Sequence, residues 1–198
     1  RPLKGNKMNI SDYRTLTFFD VETTSLNPEL GEIIQICIVT EDRDGNLEEW
    51  STKIRPRLAK GTYQKAALRI NNFKPLEWID APAFEDVADE IIERLRWGPI
   101  VAHNAQFDIS FLNSCLKKYT DWKPGDRTDL DNKTYRLGYP VIDTIPLAYL
   151  MIPSERQSMV ALREHLGIET EGGHEAVKDV NDCRTVFWHC MSRLLEDS

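Results

Sequence analysis

Thr17-Phe18-Phe19-Asp20-Val21-Glu22-Thr23-Thr24-Ser25-Leu26 begins as a buried strand and is then interrupted by two carboxylates. Leu16, Phe18, Phe19 and Val21 give it near-continuous apolar, β-favouring character. Side chains alternate across a strand, so Asp20 and Glu22 share a face. Two adjacent like charges in an apolar strand repel and are costly to desolvate. A cation would offset both costs, and hard oxygen ligands at this spacing suit Mg²⁺ or Mn²⁺. On its own the pair has a commoner reading, two surface acids at a strand end.

Working outward, Asn27 to Gly31 reads as a turn, Ile33 to Thr40 as a second strand, and Asp42 to Asn46 as a hairpin signal ahead of a third strand, Leu47 to Arg55. Gln64 to Ile70 is a short helix, broken by Asn71 to Pro75. Ala83 to Arg96 is a firm helix, with Phe84, Val87, Ile91 and Leu95 on one face and Gly98-Pro99 as its stop. Ile100 to Ala102 is a short strand, and the helix after it carries an apolar stripe of Phe107, Phe111, Leu112 and Cys115. Tyr119 to Tyr139 is expected as a long polar loop; Asp126, Asp129 and Asp131 lack the spacing of a calcium loop. Val141 to Asp143 is a strand running into a helix near Thr144 to Leu150. Ser158 to His165 is a helix capped near Ser154 or Ser158 and closed by Gly167. The last helix runs from about Glu175 or Val177 to Leu195, with Val180, Cys183, Phe187 and Cys190 facing inward. Three antiparallel strands followed by alternating helices and short strands define an α/β layered domain with a mixed sheet.

The 198 residues suit a single domain spanning residues 1–198, with 1–11 expected as an N-terminal tail or an expression remnant. No apolar run approaches a membrane span and no signal-peptide pattern opens the chain, so a cytoplasmic protein without a membrane partner is expected. Cys37, Cys115, Cys183 and Cys190 sit in apolar contexts and read as reduced core thiols. A net charge of −7 argues against a generic nucleic-acid coat protein but leaves a nuclease open, because a metal site needs acids. From Ser51 to Leu76 there are seven cations (Lys53, Arg55, Arg57, Lys60, Lys65, Arg69 and Lys74) and no acid. That run is either a solvated face or a phosphate-tracking flank.

Two further motifs accompany the lead strand. His103-Asn104-Ala105-Gln106-Phe107-Asp108-Ile109-Ser110-Phe111-Leu112 places one carboxylate in the first turns of a helix whose other face is apolar. Asp108 there either serves a site or stabilises the helix N-terminus. His174-Glu175-Ala176-Val177-Lys178-Asp179 places a histidine five residues before an aspartate, with Asp182 one turn further on as a weaker candidate ligand. Together the three stretches resemble the motifs of the DEDD-type 3′→5′ exonucleases, the superfamily of polymerase proofreading domains. His174, with Glu175 where the other branch carries tyrosine, places the resemblance in the histidine branch, DEDDh.

The resemblance implies an RNase H-like mixed sheet flanked by helices. It also implies a hydrolase, a metal-dependent 3′→5′ exonuclease acting on DNA or RNA and releasing nucleoside 5′-monophosphates. Asp20, Glu22, Asp108 and Asp179 are the implied ligands of two ions, Mg²⁺ or Mn²⁺. Asp20 is implied to bridge both, Glu22 and Asp179 to serve the nucleophile-side ion, and Asp108 the other. His174 is the implied general base, since an imidazole titrates near neutrality. Thr23 and Leu26 are expected against the last base, through a backbone amide and an apolar wedge, and Phe111 as a stacking face; core packing is the other reading of Leu26 and Phe111. His103 and Asn104 are expected to fix the strand–helix turn by hydrogen bonds. The implied partner is a nucleic acid with a free 3′ end, expected as a single strand, with a polymerase or a second copy of the chain as further candidates. Ser25 stands where the family often has glycine, and Asn71-Asn72-Phe73 replaces a common His-Gly pair, so base specificity does not carry over. A non-catalytic binding or scaffold domain on the same fold and an RNA end-processing enzyme remain the alternatives.

Overall fold

Residues 15–96, 98–122, 127–130, 133–136, 140–169 and 175–196 are described in the structure, a computed structural model. Strand β1 (Thr15–Thr23) pairs antiparallel with β2 (Ile33–Asp42), which pairs antiparallel with β3 (Leu47–Lys53). Asp42 sets the hairpin between β2 and β3 by accepting the N–H groups of Asp44 and Asn46, each at 2.9 Å. Helices α1 (Lys65–Ile70), α2 (Pro75–Trp78) and α3 (Phe84–Leu95) follow, then β4 (Ile100–Ala102) and α4 (Ala105–Tyr119). A separate hairpin of β5 (Arg127–Leu130) and β6 (Lys133–Arg136) precedes β7 (Val141–Asp143). The chain then forms α5 (Thr144–Met151), α6 (Met159–Leu166) and α7 (Ala176–Glu196).

The main sheet has the order β3-β2-β1-β4-β7, with β4 parallel to β1 and β7 parallel to β4. The expected mixed sheet is therefore the one that forms, with β1 at its centre. Alternation along β1 divides the interior in two. Phe19 and Val21 enter a cluster with Ile91 and Leu95 of α3 and Leu112 and Leu116 of α4. Phe18 enters the other, with Leu162 of α6 and Val180, Cys183 and Phe187 of α7. The rings of Phe18 and Phe187 meet edge-on at 5.6 Å. Each such side chain contributes about 1.5–3 kcal/mol by leaving water. Asp20 and Glu22 follow Phe18 in the same alternation, so they face the α7 side.

Two expectations are corrected. The segment expected as one polar loop from Tyr119 to Tyr139 contains the β5–β6 hairpin; Thr128, Thr134 and Tyr135 favour strand, but the charges among them dilute the alternation that marks one. The break expected at Asn71 to Pro75 leads into a short helix, Pro75–Trp78, that was not expected; Trp78 is drawn inward and donates from Nε1 to the Ile34 carbonyl at 2.7 Å. The four cysteines are free and buried, as expected. Among the described residues, no helix is long and apolar enough to cross a membrane.

Candidate active site

The antiparallel register of β1 against β2 is regular through Asp20 and Glu22, opposite Cys37 and Gln35, and then shifts between Glu22 and Thr23. The irregularity ends the strand just past the second carboxylate and turns the chain away from the sheet. Asp179, in the first turn of α7, arrives at this end of β1. The carboxylate oxygens of Asp20, Glu22 and Asp179 lie within 4.8 Å of one another. Asp108, in the first turn of α4 and 2% exposed, accepts the Val21 N–H at 3.1 Å, so it sits between the two lead acids along the backbone. All four line one cleft of about 440 Å³. Hard donors brought together in a partly dry pocket are the donor set that suits a divalent cation.

The electrostatics carry the same sign. Burial first, then the charges of Asp108, Glu22 and Asp179, holds the Asp20 carboxyl well above the usual carboxylate range. Burial raises Asp108 too, although the Val21 N–H opposes the rise. Glu22 is pushed up to about 8 by burial and by Asp179. A carboxyl raised in this way is protonated in the fold while it is ionised in the unfolded chain. The Glu22 contribution to stability is therefore full below an ordinary value of 4.5 and is lost as pH rises through about 8. In chelator, the melting temperature is expected to fall steadily from pH 5 to 8.5, by a stability loss on the order of 4 kcal/mol from this group. Adding Mg²⁺ is expected to flatten the slope. Differential scanning fluorimetry across that range checks both, and a metal-free stability that rises with pH contradicts them.

Asp143 holds the helix that carries Asp108. Its carboxylate accepts from Asn104 N at 3.1 Å, Ala105 N at 3.0 Å and Ile145 N at 2.9 Å, capping α4 and α5 at once. Asn104 takes a left-handed conformation, φ 66°, to let the chain enter α4 there. In the sequence Asp143 is only the last residue of the strand expected from Val141 to Asp143. Asp143→Ala leaves three N–H groups without their acceptor and is expected to cost about 2–3 kcal/mol. Turnover is expected to drop about tenfold or more as Asp108 loses its placement. Urea denaturation and single-turnover rates check this, with Asp143→Asn as the partial rescue.

His103 behaves as expected on one side: Nδ1 pairs with Thr144 Oγ1 at 2.8 Å. Its Nε2 is buried without a hydrogen-bond partner among the described residues, and the ring lines the cleft. Thr23 is buried, its hydroxyl donating to the Ser25 carbonyl at 2.7 Å. Leu26 is 72% exposed just beyond, which sets aside core packing for it. Phe111 is the reverse. It is fully buried against Phe107, ring centroids 4.9 Å apart, and offers no face to a base; Phe107 is the ring that lines the cleft. Gly31 packs beside it: a Cβ there would stand 2.9 Å from the Phe111 ring and 2.8 Å from Ser25 Cβ, so the loop behind the lead strand requires glycine. His174 lies outside the described residues. Asp182 turns away from the three converging acids and accepts from Arg163 Nε at 2.5 Å.

In the acid-free run, Lys53, Arg57 and Lys74 pair with Glu77, Glu85 and Glu32 from outside it. Lys60, Lys65 and Arg69 are exposed and make no ion pair among the described residues. The segment is fastened to the loop after the lead acids: Gln64 N donates to the Thr24 carbonyl at 2.7 Å, and Asn71 Nδ2 to that of Thr23 at 2.9 Å.

Comparison with known proteins follows the same residues. The family model described as exonuclease matches residues 17–187. DNA polymerase III subunit epsilon of Treponema pallidum is 28% identical over 181 residues, covering 90% of this chain and 77% of that protein. DNA polymerase III PolC-type of Oceanobacillus iheyensis is 26% identical over 197 residues, and this chain spans 13% of its length. Among solved structures, E. coli exonuclease I in complex with a dT13 oligonucleotide superposes with a TM-score of 0.70 at 19% identity, over 92% of this chain and 41% of that one. That likeness is one of fold, the RNase H-like exonuclease sheet with its flanking helices. The family match runs from Thr17 in β1 to Phe187 in α7, and this chain belongs to the exonuclease family.

Proposed function

We propose that the chain removes nucleotides from the 3′ end of a DNA strand, releasing nucleoside 5′-monophosphates. The observation that carries this is the convergence of Asp20, Glu22 and Asp179 within 4.8 Å, with Asp108 lining the same cleft. Asp20, Glu22, Asp108 and Asp179 would hold two divalent ions, Mg²⁺ or Mn²⁺. Such ions supply Lewis acidity and a lowered pKa for attacking water, and stabilise the attacking and leaving oxygens of an in-line displacement. His174 takes the proton of the attacking water. One water is consumed per bond; the phosphate leaves on the released nucleotide and a 3′ hydroxyl remains on the shortened strand.

The exposed Leu26 and the cleft-facing Phe107 would meet the terminal base, together with the backbone amide at Thr23. Lys60, Lys65 and Arg69, beside this loop, provide the positive surface for the strand leading in. A single strand fits an open cleft of about 440 Å³, and the epsilon relative makes a polymerase the partner to test first. The experiment is degradation of 3′-labelled single- and double-stranded DNA and RNA, with and without Mg²⁺, beside a closed circle. Stepwise shortening of linear single-stranded DNA only with Mg²⁺ is the expected result. Cutting of the circle, a preference for RNA, or activity in chelator would each overturn part of the reading.

A further inference from the structure

Arg163 is a cation that none of the sequence motifs contains, placed behind the carboxylate cluster. It is 5% exposed, on the inner face of α6. Its Nε donates to Asp182 Oδ2 and its Nη2 to Asp179 Oδ1. Asp182 alone would balance its charge. The second bond reaches into the group of three acids and places a permanent positive charge on one of them, since a guanidinium does not give up its proton in proteins.

We infer that Arg163 is a built-in counter-cation of the cluster, which stabilises the metal-free site and competes with the divalent ion that Glu22 and Asp179 would hold. The inference rests on the metal reading above. A buried arginine costs desolvation, and its two carboxylate partners offset that cost. A divalent ion seated on Asp179 meets a carboxylate already shared with a guanidinium, and the two cations repel across a few ångströms of low-dielectric interior. Affinity for that ion is lowered, and the empty pocket is spared the full repulsion of its acids.

The test is Mn²⁺ binding, by calorimetry and by electron paramagnetic resonance, to the full chain and three variants. Arg163→Met keeps the length and removes the charge. Its weaker Mn²⁺ site is expected to tighten by about tenfold or more. Its melting temperature in chelator is expected to fall, and its metal-induced rise to exceed that of the parent chain. Arg163→Lys keeps the charge and is expected to bind Mn²⁺ within about threefold of the parent. Asp182→Asn leaves the guanidinium undivided on Asp179 and is expected to weaken Mn²⁺ binding severalfold, a reading that survives if Arg163→Met does not fold. Unchanged or weaker Mn²⁺ binding by Arg163→Met overturns the inference, as does unchanged binding by Asp182→Asn. A parent chain that takes up no Mn²⁺ sinks the metal reading instead.

Discussion

Asp20→Asn is expected to abolish hydrolysis while making the metal-free protein more stable. The two effects have one origin. Asp20 lies in the central strand, and burial together with three neighbouring carboxylates pushes its protonation far above the ordinary range. In the metal-free fold the ionised form of that carboxyl is costly, and a neutral amide of the same shape avoids the cost. A gain of about 1–2 kcal/mol is expected, read as a rise of a few degrees in the melting temperature in chelator. The same change deletes a ligand from the group of three, and loss of several kcal/mol of transition-state charge stabilisation corresponds to about 10³–10⁴-fold in rate. The thermal stabilisation conferred by Mg²⁺ on the parent chain is expected to disappear with it. A carboxylate that served only the fold would show the opposite pattern, lower stability and near-normal turnover, and either half of that pattern refutes the assignment.

The residues that sequence reading located are those for which geometry leaves little choice. Alternation along β1 places Asp20 and Glu22 on one face whatever the surroundings, and the structure keeps them there. The fold was legible for the same reason: the stripes of α3 and α7 and the apolar runs of β1 and β2 have one burial solution each. Where periodicity allowed two outcomes, it did not decide. Phe107 and Phe111 are four residues apart on one helical face, and only the packing of α4 against β1 determines that Phe111 is buried and Phe107 faces the cleft. Arg163 had a signal that went unused. Met159, Leu162, Arg163 and Leu166 form an i, i+3, i+4, i+7 stripe, and a charge on such a stripe marks a buried ion pair. Its partners, Asp179 and Asp182, are distant in sequence, so the pair itself could be seen only in three dimensions.

His174→Ala is expected to lower turnover by about 10²–10⁴-fold, the worth of a positioned base, without loss of ion binding. Two roles lie next to each other in the sequence here. Glu175, the next residue, leads directly into α7, and the first turn of that helix delivers Asp179 to the cluster. A substitution at His174 that disturbed the helix start would therefore displace an acid, and Mn²⁺ affinity would fall together with the rate. If His174 acts only on the attacking water, Mn²⁺ affinity measured by calorimetry stays within about threefold of the parent while kcat collapses. The pH profile gives an independent reading. A general base must be unprotonated to act, so a rising limb in kcat/KM is expected from an imidazole base, and the alanine variant is expected to lack it. Parent-like turnover in His174→Ala would remove the base assignment and leave the acids to position water unaided.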